Sequence, residues 1–264
     1  MSIIRLALTT ILILSLFYAC KKDDLPNQNN QLLQRMIFKS GDSILYTFFN
    51  YDAQNRLAVI TDSSNNGQLW KTFIEYNPLD KPTKFKVLYR NNPTGSFIES
   101  SDSLLYNNDK QVVKKLFTSY SINPYKTINT YNYDAQGRLI NDTIYDYWSD
   151  QVFGYTTFTY DRHNNIIQWQ DFYKSSGEMI SPGIITASYN MESNAYKSLG
   201  LAVYFIRDDN FLLNEQNRTQ VNYYDGSIDN YQYEYYSNRL PKKAVITYTM
   251  SSWSFVNNVE FFYN

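Results

Sequence analysis

Of the side chains that ligate soft metals or attack carbonyl carbons, the chain carries one thiol, Cys20, and one imidazole, His163, in 264 residues. One of each cannot complete a zinc site, a disulfide framework or a Cys–His nucleophile pair. His163 sits among turn-forming residues between Asp161 and Asn165, where a solvated ring is expected. Asp208 and Asp209, beside Asn210, carry oxygens of the kind calcium takes, but without the spacing of a calcium loop they read as a polar loop. The remaining carboxylates are scattered, so no pair of them can be chosen as a glycosidase couple from sequence. No catalytic residue, metal or cofactor is assigned. What stands out is ring chemistry, with 26 Tyr, 16 Phe and 4 Trp. Trp70, Trp148, Trp169 and Trp253 are the candidate platforms on which a glycan or a peptide would stack.

Composition narrows the classes further. Aromatics at 17% are far above what a disordered chain carries. A formal net charge of -1, from 24 basic and 25 acidic residues, leaves no electrostatic footprint for nucleic acid. The pairs Lys114-Lys115 and Lys242-Lys243 place one member on each face of a strand, and solvated or edge-protecting roles are expected for them.

The rings must be positioned by strands. A Tyr followed by Asp or Asn recurs at Tyr51-Asp52, Tyr76-Asn77, Tyr106-Asn107, Tyr133-Asp134 and Tyr160-Asp161. Such a spacing marks a repeat architecture. In each unit Tyr ends a strand and the Asp or Asn side chain folds back on the backbone as an Asx-turn. The fifth position, Asn55, Asp80, Lys110, Gly137 or Asn164, takes the left-handed conformation, which a lysine tolerates least. A second set of breakers, such as Ser64 to Gly67 and Asn91 to Gly95, alternates with these turns. Between them, Tyr155 to Tyr160 and Val245 to Met250 show the period-two alternation of half-buried strands. The expectation is an all-β fold, a long antiparallel meander of about sixteen strands from Leu32 to Tyr263, curled or barrel-like. The repeat lapses near 191-211, where a short helix or loop is expected to lie against the sheet.

The N-terminus supplies an address. Leu6 to Phe17 is an apolar run of signal-peptide length, too short to span a bilayer and followed at once by Lys21, Lys22, Asp23 and Asp24. Leu16 to Cys20 (LFYAC) resembles a bacterial lipobox, which implies cleavage after Ala19 and lipidation of the Cys20 sulfur. Lys22-Asp23-Asp24 resembles the Lys-acidic-acidic signal that sends Bacteroidetes lipoproteins to the cell surface. The domain reading is therefore a signal peptide at 1-19, a lipidated Cys and flexible tether at 20-31, and a single β domain at 32-264. The mature chain would carry 23 basic and 25 acidic residues, a net charge of -2. Asp42-Ser43-Ile44, Asp102-Ser103-Leu104 and Asp142-Thr143-Ile144 each resemble the site at which Bacteroidetes attach O-glycans, which makes Ser43, Ser103 and Thr143 candidates.

Tyr133-Asp134-Ala-Gln-Gly137-Arg138-Leu139 matches the core of the YD repeats of the RHS family, and the other registers drift from it. Over nearly its whole length the chain resembles small Bacteroidetes lipoproteins of unknown function with degenerate YD hairpins and a porin-like sheet. That resemblance implies no catalytic residues. Strands such as Tyr125 to Tyr133 and Leu139 to Tyr147 carry Thr, Asn and Asp on both faces, which suits a water-soluble sheet better than a lipid-facing one. The reading is a surface or outer-membrane lipoprotein, not an enzyme, acting as a binding or structural module. It would be held to a membrane through Cys20 and partnered by a glycan, a peptide or an outer-membrane protein. A glycan-active enzyme and an accessory subunit of an outer-membrane transport complex are the alternatives.

Overall fold

The computed structural model describes residues 31–120, 124–199, 204–205, 210–251 and 253–264. Residues 1–30 lie outside that set, and with them the signal segment, Cys20, Lys22, Asp23, Asp24 and nearly all of the tether. Asp208 and Asp209 also fall outside it.

Seventeen strands follow one another in chain order. They are β1 (Leu33–Ser40), β2 (Ser43–Tyr51), β3 (Leu57–Ser64), β4 (Leu69–Tyr76), β5 (Pro82–Arg90), β6 (Ile98–Tyr106), β7 (Val112–Ser119), β8 (Lys126–Tyr133) and β9 (Leu139–Asp146), then β10 (Val152–Tyr160), β11 (Ile166–Ser175), β12 (Glu178–Ile180), β13 (Ile184–Ser193), β14 (Gln216–Asn222), β15 (Ile228–Tyr235), β16 (Pro241–Met250) and β17 (Trp253–Tyr263). Each pairs antiparallel with its chain neighbours, save that β13 pairs with β11 in place of the short β12, and β1 also pairs with β17, from Leu33↔Tyr263 to Ser40↔Asn257. The meander therefore closes into a barrel. Strands β12 and β13 share one edge of β11, the first against Tyr173 to Ser175 and the second against Gln168 to Gln170. Ser181, Pro182 and Gly183 separate them, and Pro182 has no amide hydrogen for the ladder. The ring thus has sixteen strand positions, which leaves no long open edge to recruit another chain.

All five Tyr registers behave as their residue types require. Tyr51, Tyr76, Tyr106, Tyr133 and Tyr160 each close a strand. The next residue caps the turn: Asp134 Oδ1 accepts from the amides of Gln136 and Arg138, both at 2.9 Å, and Asp52 does the same for Gln54 and Arg56. The fifth residue is left-handed in every register, with φ of 59° at Asn55, 57° at Asp80, 64° at Lys110, 79° at Gly137 and 65° at Asn164. These turns share one rim of the barrel, because two strands separate each from the next.

Alternation sorts the wall. One set of side chains, including Ile60, Phe85, Leu104, Val112, Leu139, Ile166, Val221 and Val259, is buried and faces inward. The other set carries mid-strand ion pairs, Lys86–Glu99 at 2.8 Å and Lys39–Glu260 at 2.7 Å. The lapse in the repeat starts later than expected, because β13 continues to Ser193. Beyond it, 3-10 turns at Ala195–Leu199 and Asn210–Leu213 bracket an insertion that enters the barrel mouth. Tyr196 packs edge-on to Phe261 of β17, and Phe205 packs edge-on to Tyr131 of β8, 4.9 Å between centroids. Strands β8 and β17 stand far apart around the ring. A single short segment reaches both only from inside, so the insertion plugs the rim that carries the Tyr turns. A helix or loop lying against the sheet was the expectation; closure turned the inner side of that sheet into a lumen.

Candidate functional site

The two rims are built differently, and the plugged one is saturated. Each of the five register Tyr donates its hydroxyl to the first carbonyl of the neighbouring strand, Tyr51 to Leu33, Tyr76 to Leu57, Tyr106 to Pro82, Tyr133 to Val112 and Tyr160 to Leu139, and Tyr189 of β13 does the same to Ile166, at 2.5 to 2.8 Å. Successive turns are thereby stapled together. Two arginines lock the same rim. Arg56 pairs with Asp52, reaches Asp80 of the next turn and lies over the Tyr76 ring; Arg138 pairs with Asp134, reaches the Asp161 carbonyl and lies over Tyr160. Burial pushes the Tyr106 phenol up to about 12 and raises Tyr51, Tyr133, Tyr160 and Tyr189 as well. Partial desolvation pushes Asp134 and Asp52 up, yet hydrogen bonds from Arg138 and Arg56 outweigh it and hold both carboxyls below their ordinary value. His163 belongs to this rim. Its amide caps onto Asp161 and its ring is exposed, as expected of a turn residue.

The opposite rim is aromatic and open. Trp70 stacks on Tyr89 with centroids 4.7 Å apart. Trp253, 52% exposed, stacks on Phe255 and lies beside Tyr248. Tyr248 and Phe255 share the inward parity of Ala244 and Val259, so this cluster lines the lumen mouth. Trp148 is 73% exposed in the turn after β9, edge-on to Tyr147, with the Lys126 ammonium over both rings. Three of the four Trp candidates therefore stand at one end. The fourth, Trp169, is deep in the wall, 7% exposed, with the Arg218 guanidinium 5.2 Å from its ring centroid.

Below the open rim lies a cavity of about 440 Å³, inside the size range of small-molecule sites. Asp142, Thr156, Trp169, Asp171, Arg218 and Tyr223 are among the residues that line it. Asp171 accepts from Thr156 at 2.7 Å, Asp142 accepts from Asn129 at 3.1 Å, and the hydroxyl of Tyr204, from the plug, points at Asp142 from 3.4 Å. Tyr223 donates to Asp229 at 2.8 Å; burial and then that bond raise its phenol. Its ring is 6.5 Å from Tyr248, which continues the aromatic track from the mouth into the cavity. Ile144 points inward and is still 37% exposed, so water reaches this depth.

Sequence reasoning missed most of this site. Lys115, expected to be solvated, is 4% exposed and donates to the Phe205 carbonyl of the plug at 3.2 Å; only closure of the barrel made its face an interior one. The available signal was parity: Asp102 shares a face with Leu104 and Tyr106, and Asp142 with Leu139 across a bulge, positions where an apolar residue is the default. Among the candidate modification sites, Ser43 is exposed at the start of β2 and Ser103 is exposed on the outer face, while Thr143 donates to Asn141 at 2.7 Å. Lys243 lies opposite Glu260 on β17.

No known family's sequence pattern matches the chain, and no curated protein matches it. Solved structures do. A porin-like protein from Bacteroides uniformis superposes with a TM-score of 0.55 at 11% identity, covering 88% of this chain and 96% of that one. A porin-like protein from Bacteroides vulgatus gives a TM-score of 0.41 at 9% identity, covering 89% and 99%. The likeness to the first is one of fold: a porin-like β-barrel.

Proposed function

We propose that the protein is a lipid-anchored barrel of the outer membrane or cell surface that acts as a non-enzymatic binding module, with its ligand entering the lumen through the aromatic rim. The observation that carries this reading is the inward-facing Trp253, Phe255 and Tyr248 cluster, left open to water at one end of a lumen whose other end is plugged. Exposed aromatic surface of this kind marks interaction sites. Lipid anchoring at Cys20 fits the barrel's outer face. A charge such as Lys86 at mid-strand would cost about 2–4 kcal/mol against hydrocarbon, which supports an outer wall that faces water.

Two measurements test the reading. Labelling with radioactive palmitate in the native host is expected to mark the wild-type chain and leave the Cys20→Ala variant unlabelled and released from membranes. A glycan and peptide array probed with the purified protein is expected to give hits that Trp253→Ala abolishes. A blank array, or hits indifferent to every lumen substitution, refutes the binding module.

A further inference from the structure

We propose that the lumen cavity walled by Asp142, Thr156, Asp171 and Tyr223 binds a neutral saccharide unit. The proposal rests on the reading of the lumen as a binding chamber and names what the chamber takes.

The lining decides the ligand class. Asp171 uses one carboxylate oxygen to accept from Thr156, and its other oxygen has no hydrogen-bond partner among the described residues, although the side chain is half-buried. Asn129 and Tyr204 stand in the same wall, both directed at Asp142, and the second amide hydrogen of Asn129 is a further donor. A cavity that presents oriented donors and acceptors together matches a hydroxyl group, which both donates and accepts. An apolar ligand would cover the second Asp171 oxygen without giving it a partner, at about 1–3 kcal/mol. Phe158, Trp169 and the half-buried ring of Tyr223 supply apolar surface for the C–H face of a pyranose.

Charge excludes the neighbouring classes. The cavity has two acidic linings, Asp142 and Asp171, against one basic, Arg218, a balance of 1 minus 2, or -1. Arg218 is buried in the wall with its guanidinium over the Trp169 ring, and the two carboxylates of the same lining outnumber it. Acidic sugars therefore meet net repulsion. A simple cation finds Asp142 already holding Asn129, and a guanidinium in the same wall. The neutral saccharide is the class that satisfies the whole lining.

The test titrates the full-length protein with cellobiose, maltose and N,N′-diacetylchitobiose, with glucuronate and spermidine as charged controls, by calorimetry and Trp fluorescence. The expected result is saturable binding of at least one neutral disaccharide and none of the controls. Asp171→Ala and Tyr223→Ala should each weaken it about tenfold, the loss of a buried partner. The isosteric Asp171→Asn, chosen because it preserves the Thr156 contact, should weaken it less with an unchanged melting temperature. Disaccharide binding that Trp253→Ala removes and Asp171→Ala does not would overturn the cavity while leaving the rim as the binding surface. Binding of glucuronate or spermidine alone, sensitive to Asp171, would overturn the saccharide class and leave the chamber. If no probe binds and the arrays are blank, both readings fall.

Discussion

The two rims of the barrel are made from the same hairpins and do opposite things with their tyrosines. At the plugged rim each phenol is half-buried and donates to a neighbouring strand, so the rings are fasteners. At the other rim Tyr248, Tyr89 and Tyr147 lie beside Trp253, Trp70 and Trp148, partly open to water, so the rings are surface. The difference follows from the turns. The Tyr-Asp turns have one length and one left-handed position, which repeats the same phenol-to-carbonyl reach around the ring. The opposite turns vary from Gly41 to the longer span between Arg90 and Ile98, so no common staple forms there. A stability function is thus gathered at one end, which frees the other for variation and contact.

Alkaline pH should break the comparison most severely. The fastener phenols are raised in the folded state, so they stabilise the fold fully below the unfolded value near 10. Above it the unfolded chain releases protons that the folded chain holds, and stability falls as pH climbs. Absorbance at 295 nm should show the fastener tyrosines ionising only together with loss of circular dichroism. Smooth ionisation of all tyrosines without unfolding would remove the distinction.

Next in size is a matched pair of truncations. Phe85→Ala, in the fully buried wall near the stapled rim, is expected to cost about 3–5 kcal/mol in urea unfolding, whereas Trp253→Ala at the open rim should change stability by less than about 0.5 kcal/mol. A smaller loss, about 1 kcal/mol, is expected of Tyr160→Phe, which removes one staple and leaves the ring. The urea midpoint reads each of these.

Acid addresses the same rim through the capping carboxylates. Asp52, Asp134 and Asp161 are held low in the folded state, so their contribution is present above the unfolded value near 3.9 and is lost as pH drops through the folded one. The urea midpoint should fall below about pH 4, and Asp134→Asn should flatten that fall. The smallest effect runs the other way: Lys110→Gly should stabilise by about 0.5–1 kcal/mol, since lysine at φ 64° carries a steric cost that glycine lacks.

Sequence by itself determined what is local. The Asx cap spans four residues, the left-handed position is fixed by its place after Tyr, and strand faces follow from period two; hence the turns, the strand count and the all-β class were legible in the chain. Partnership over long separations was not. The pairing of Leu33 with Tyr263 closes the barrel, Lys115 meets a carbonyl 90 positions away, and Tyr204 meets Asp142 across 62. Alternation tells which residues share a face, but only closure decides whether that face is a surface or an interior. For that reason Trp70, Trp148 and Trp253 could be nominated from the sequence as platforms, while the cavity that Trp169 walls, and the plug that seals it, exist only in the tertiary structure.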